Sequence, residues 1–180
     1  GSSCPAYMYF DEPGSRVLIA LQRLDTSNYL PADYSLVLVV NPATAAIVTE
    51  LRLRYTGKDY TNPYTRFRSF ESDSFLIGCA GHFKMTGVTA DDGGVLVLGG
   101  NPLEVQGVLV DEAQLGADIV DFVWVNKTLY AITLAVDGKS SMISFDPDTG
   151  GLQTILSKAG KGYLWRIEER EGIVYVCSRD

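Results

Sequence analysis

The chain has 180 residues, 46% hydrophobic and 21% charged, enough for one domain that buries roughly 70% of its unfolded surface. Its net charge of −7 comes with scattered basic residues, densest at Arg52, Arg54, Arg66 and Arg68, and argues against nucleic acid, whose phosphates call for clustered cations. No apolar run approaches the roughly 18 to 20 residues of a membrane-spanning helix, and Cys4, Cys79 and Cys177 are too few for a disulfide scaffold and lack the CxxC spacing of a zinc site.

From the N-terminus, residues 1–5 read as a tag remnant or a disordered terminus, because Gly-Ser-Ser precedes Cys4. A hairpin follows over Ala6 to Asp25: an aromatic-rich strand, a polar turn and a more apolar strand. An insertion, Thr26 to Asp33, leads to a second pair of strands, Tyr34 to Val40 and Ala46 to Leu53, joined by the turn at Asn41-Pro42-Ala43-Thr44-Ala45. In the latter strand Leu51 and Leu53 share one face and Glu50, Arg52 and Arg54 the other, the pattern of a half-solvated strand.

The same order then recurs. After an insertion at Tyr55 to Pro63, a second hairpin spans Tyr64 to Phe83 and is followed by strands at Gly94 to Leu98 and Val105 to Val110. A third hairpin, Ile119 to Asp137, is followed by Ser141 to Phe145 and Leu152 to Leu156. A fourth, Tyr163 to Asp180, has no second pair after it. The second strands of the hairpins begin near Val17, Phe75, Leu129 and Ile173, about 45 to 60 residues apart, the repeat length of a four-stranded unit with insertions. Leu36 to Val40 and Ile173 to Cys177 are apolar on both faces, as expected of strands sandwiched between neighbouring sheets. Asp111 to Gly116 predicts about one turn of helix and little else helical is expected.

The expected fold is therefore all-β, a β-propeller of about three and a half four-stranded antiparallel blades in a single domain over residues 1–180, and a piece of a larger propeller. An open arc would leave apolar sheet faces uncovered, so self-association, or completion by further chain, is its expected consequence.

The run YSLVLVVNPATAAIVTELRL, with MISFDPDTGGLQTIL and GIVYVCSRD repeating parts of it, resembles the YVTN-type β-propeller repeat. That resemblance implies a bacterial, exported protein, periplasmic or extracellular, with a lipoprotein attachment at Cys4 as one form of it. It implies a non-enzymatic binding or scaffold module that presents a surface to a protein, peptide or glycan. The alternative is a piece of a propeller enzyme, lactonase-like or quinoprotein-like, with its ligands on the central channel. No cofactor and no metal are expected on the favoured reading.

Ligands of propellers bind at the rim of the channel, where loops enter the innermost strands. On this chain those positions are Tyr60, Asn62, Tyr64, Arg66, Asp118, Asp121, Tyr163, Trp165 and Arg166, in which aromatics with Arg and Asp would hold a peptide or sugar by stacking and paired charge. Against that, packing between blades is the favoured role for each of Tyr64, Phe67, Phe70, Trp124 and Trp165, and Arg66 and Arg68 at alternate positions suit a solvated face.

Other motifs have plainer readings. Asp146-Pro147-Asp148-Thr149-Gly150 offers alternating Asp oxygens as a calcium loop would, but a turn in which Asp accepts from its own backbone needs nothing more, and Asp91-Asp92-Gly93-Gly94 reads the same way. Asn126-Lys127-Thr128 fits a glycosylation acceptor and also a hairpin turn. Cys79 and His82 stand three apart, which in a regular strand directs them to opposite faces and away from nucleophile and base roles. Cys79 and Cys177 occupy equivalent places in two hairpins and read as small buried hydrophobes.

Overall fold

A computed structural model describes residues 2–25, 27–28, 30–88, 90–159 and 162–179. Gly1, Thr26, Tyr29 and Asp180, which belong to segments singled out above, lie outside them. Strands β1 (Ser2–Asp11), β2 (Arg16–Leu24), β3 (Leu36–Asn41) and β4 (Ala46–Arg52) form one antiparallel meander. A two-residue ladder, β5 (Arg54–Tyr55) with β6 (Lys58–Asp59), occupies the insertion before the second unit. That unit is the meander β7 (Arg68–Ser69), β8 (Ser74–Cys79), β9 (Gly94–Gly99) and β10 (Glu104–Asp111), with a 3-10 turn at Lys84–Thr86 between β8 and β9. The one-turn helix α1 (Glu112–Leu115) leads into β11 (Asp118–Val125), β12 (Thr128–Leu134), β13 (Ser140–Asp146) and β14 (Gly151–Lys158). The hairpin β15 (Tyr163–Arg170) and β16 (Ile173–Arg179) is the inner half of a fourth unit. β1 begins at Ser2, opposite Leu24 of β2, so residues 2–5 extend the strand.

Turn chemistry explains where strands stop. Asn41 Oδ1 accepts from Ala43 N at 2.9 Å, and Asp146 Oδ1 accepts from Asp148 N at 2.9 Å while Oδ2 takes the Thr149 hydroxyl at 2.9 Å. Those bonds hold the backbone in a turn with the side chain's own acceptors. The Asp146 loop is thus the hairpin turn that its residue types suggest. Asn126 and Lys127 at φ 49° and 62° turn β11 into β12 in the left-handed region that a two-residue hairpin loop demands.

Alternation along each strand sends residues to two sheet faces, and those faces stack. Leu18, Ala20, Val37 and Val39 of the first sheet pack with Phe75, Ile77, Leu96 and Leu98 of the second. Leu76 and Val95, one residue out of step with that set, turn to the opposite face and pack with Ile119, Phe122, Leu129 and Ala131 of the third. Val123 and Ile132 repeat the switch and meet Leu164 and Ile167 of the fourth hairpin. At roughly 25 cal/mol per Å² of apolar area, each of these interfaces is a core in its own right. Four-stranded antiparallel meanders that follow one another along the chain and stack face to face are β-propeller blades; the described residues form three and the inner hairpin of a fourth.

The stack is an open arc, which corrects two expectations. β3 is buried on one face only, and β16 alternates between exposed and half-buried. Both read as sandwiched strands, yet they belong to the first and last units, each with a neighbour on one side. Cys177 is exposed for the same reason, whereas Cys79, in the middle of the stack, is buried. On the uncovered face of the first sheet Met8 and Phe10 stand opposite Ile19 and Val17, and both are more than half exposed, at 69% and 55%.

Candidate functional site at the channel mouth

The innermost strand of every unit faces the same central space. β1 touches unit two through a hydrogen bond of 3.3 Å between the Tyr9 hydroxyl and Ser69 Oγ. β11 holds β15 where Ile167 N donates to Asp121 Oδ2 at 3.2 Å. Across the channel, Arg68 Nη1 donates to Glu168 Oε2 at 3.1 Å and Arg66 pairs with Oε1 of the same carboxylate. Arg66 and Arg68 therefore bridge two units instead of lining a solvated face.

Beside this crossbar lies a cavity of about 280 Å³ lined by Pro5, Ala6, Tyr7, Gln22, Tyr64, Val120, Asp121, Trp165 and Arg166. All four units contribute to it. A second, more apolar cavity of about 370 Å³ shares Tyr64, Val120 and Trp165 with the first and is completed by Phe83, Met85, Leu134, Tyr163 and Leu164 among others. Tyr64 is set edge-on to Phe83 at 5.3 Å between centroids, and burial, with the nearby Tyr7, raises its phenol above the usual range. Trp165 stands edge-on to Tyr163 at 5.8 Å and is 55% exposed, so its ring is not consumed by packing between blades.

Asp121 is a positioning group in this wall. Its Oδ1 accepts from Phe122 N at 3.0 Å, its Oδ2 from Ile167 N, and Arg68 stands 4.0 Å away. Burial pushes its carboxyl upward, opposed by those backbone donors and by the arginines. Arg166, by contrast, has its nearest carboxylate, Glu168, 3.8 Å from Nε, beyond hydrogen-bond reach.

Of the positions expected at the rim, Tyr64, Asp121, Trp165 and Arg166 line the channel cavity, Tyr163 lines its neighbour, and Arg66 joins the crossbar. The other three have been drawn into the framework. Tyr60 is buried with its hydroxyl on Asp111 Oδ2 at 3.0 Å, and burial raises its phenol. Asn62 donates to Gly81 O at 3.1 Å and accepts from Gln22 Nε2 at 2.8 Å. Asp118 is fully buried and accepts from Lys84 N at 2.8 Å. Tyr7 and Gln22, which line the cavity, were not anticipated; their position at the open end of the first blade's inner hairpin, Tyr7 early in β1 and Gln22 late in β2, was the available signal.

Sequence reasoning also missed a polar cluster between units two and three. Asp92 is not a turn cap: it takes the Thr61 hydroxyl, His82 N at 2.9 Å and His82 Nδ1 at 2.9 Å. Burial opposes its charge, but the Thr61 and His82 donors together hold the carboxyl below its ordinary value. Next to it, Glu112 of α1 is fully buried, accepts from Gly93 N at 2.8 Å through Oε2, and lies beside the buried Asp118. Among the described residues, Glu112 Oε1 and Asp118 Oδ1 are buried without a hydrogen-bond partner. Two buried carboxyl groups side by side cannot both ionise cheaply, so burial first and Asp118 second raise Glu112 to about 9, and it keeps its proton at neutral pH. The Cys79 thiol nearby is raised by burial and stays protonated, which removes it as a nucleophile.

No family model and no curated protein matches the chain. Among solved structures, the crystal structure of BamB from Moraxella catarrhalis is similar to it with a TM-score of 0.37 and 13% identity, over 96% of this chain and 84% of that one.

Proposed function

We propose that this propeller is a non-enzymatic binding module whose ligand site is the mouth of the central channel and whose ligand is a protein or peptide. The observation that supports it is the convergence of all four units on one solvent-reached cavity, with Trp165 55% exposed and Arg166 held by no described carboxylate at hydrogen-bond distance. Large amphipathic rings and arginine guanidinium groups are the groups that carry binding energy when buried by a partner. The exported setting implied by the YVTN resemblance belongs with this reading.

Peptide-array screening tests it. Peptides retained by the native chain should be lost with Trp165→Ala and weakened with Arg166→Gln, while the circular dichroism spectrum and melting temperature stay the same. Retention unchanged by both substitutions would move the site elsewhere; capture of glycans in place of peptides would overturn the ligand class.

A second reading concerns the ends of the arc. The uncovered face bearing Met8, Phe10 and Ile47 is of the same kind as the faces that stack between blades, and a second copy of the chain is the occupant proposed for it. Two copies pairing head to tail would extend a contact the fold already makes between its own units.

A further inference from the structure

Building on the channel-mouth reading, we infer that the site recognises the free C-terminus of a peptide that ends in an apolar or aromatic residue. The carboxylate is met by Arg166, and the last side chain enters the neighbouring apolar cavity.

Charge is the first argument. In a chain of net charge −7, Arg66, Arg68 and Arg166 pair, among the described residues, with two carboxylates, Glu168 and Asp121. Glu168 is already bonded to Arg66 and Arg68, and Asp121 is capped by two backbone N–H groups. The donor left at the cavity is Arg166, which lines it and is held by no described carboxylate at hydrogen-bond distance. An anion balances this spot and a cation does not. Arginine's planar fork suits a carboxylate, to which it can donate two parallel bonds.

Adjacency is the second. Tyr64, Val120 and Trp165 form a wall common to the polar cavity and the apolar one of about 370 Å³, so a ligand whose charge and apolar group lie within one residue of each other fills both. The chain-terminal residue of a peptide has that spacing. Exposure is the third argument, and it selects a peptide over a free small acid. Trp165 at 55% and Met85 at 56% leave the lip open, giving the preceding residues a path out across the rim.

Trp165 emission is the readout, since the other tryptophan, Trp124, is packed against Phe70 at 5.0 Å. The probes are a hexapeptide ending in Phe with a free carboxylate, the same peptide as its C-terminal amide, and N-acetylphenylalanine. The free-acid hexapeptide should bind at least tenfold more tightly than its amide, weaken with added salt, and bind more tightly than N-acetylphenylalanine. Arg166→Gln should bring acid and amide to the same affinity without changing the fold. If acid and amide bind equally in the native chain and both still depend on Trp165, carboxylate recognition is overturned while the channel reading stands. If N-acetylphenylalanine binds as tightly as the hexapeptide, the peptide source is overturned. If calorimetry and emission detect no binding of any probe, the C-terminal inference fails, and the array experiment with Trp165→Ala decides the channel reading separately.

Discussion

Arg68 of β7 and Glu168 of β15 meet across the channel, Nη1 to Oε2 at 3.1 Å, although they stand 100 residues apart in sequence. Arg68 Nη2 also donates to Ile167 O at 3.3 Å, so one side chain ties the second unit to both the side chain and the backbone of the fourth. The crossbar holds the β15–β16 hairpin, which has a blade on one side only, at the edge of the channel cavity.

Glu168→Gln should loosen this tie. Because Glu168 is 41% exposed, solvent screens the pairs, and the loss should be about 1 kcal/mol, reduced further by salt. Burial works against the charge on Glu168, but the arginines outweigh it and hold the carboxyl below its ordinary value. A depressed carboxyl contributes stability that is present above the unfolded-chain value and lost as pH falls through the folded one. Urea melts across acid pH should show that loss in the native chain and not in Glu168→Gln.

The Glu112–Asp118 pair predicts the opposite slope. Glu112 holds its proton to about pH 9 when folded but releases it near 4.5 when unfolded, so between those values the folded state binds the extra proton. Its contribution is then greatest below pH 4.5 and declines as pH rises toward 9. Glu112→Gln keeps the hydrogen-bond donor without the titration and should flatten this part of the stability profile measured by chemical denaturation.

Gly78→Ala tests packing inside the second blade. An added Cβ would stand 2.6 Å from Thr65 Cγ2 and 2.9 Å from its Oγ1, and Thr65 is buried and bonded to Gly78 N at 2.8 Å. The strand has no room to yield without breaking that bond. A loss of roughly 1 to 3 kcal/mol is expected, read as a lower denaturation midpoint.

Thiol labelling separates the cysteines. Cys4 and Cys177 are exposed and should react with a maleimide in the folded protein; Cys79, buried and with its thiol raised, should react only on unfolding. Mass spectrometry of the native protein should show two labels, and a third should appear in denaturant.

Light scattering addresses the uncovered face. The chain should have a solution mass above its 19.6 kDa monomer, and Phe10→Asp, placed on that face at 55% exposure, should return it to monomer. A native chain that stays monomeric at high concentration would overturn pairing through this face.

The repeat was legible because its signals are local. Asn41, Asp146 and the Asn126-Lys127 pair turn the chain with their own side chains or backbone, and the strands between them alternate within a few residues. The helical turn at Asp111 was legible too, since Asp111 accepts from Ala113 N and Gln114 from Asp111 N, a capping box written in adjacent residues. The rim was only partly legible. Tyr64, Asp121, Trp165 and Arg166 share the channel, but Tyr60, Asn62 and Asp118 are of the same residue types at similar places and are bonded into the framework instead. Nothing within a few residues of Tyr60 announces that Asp111 will reach it.

By itself, then, the amino-acid order determined the strands, their turns and the recurrence of a four-stranded unit, because hydrogen bonding in turns and alternation along strands act over short separations. Only the tertiary structure decided which polar groups face the channel, which carboxyls are buried side by side, and which apolar faces stay uncovered. Those outcomes depend on which units meet: Glu168 finds Arg68, Glu112 finds Asp118, and Phe10 finds no blade, through contacts that no local pattern specifies.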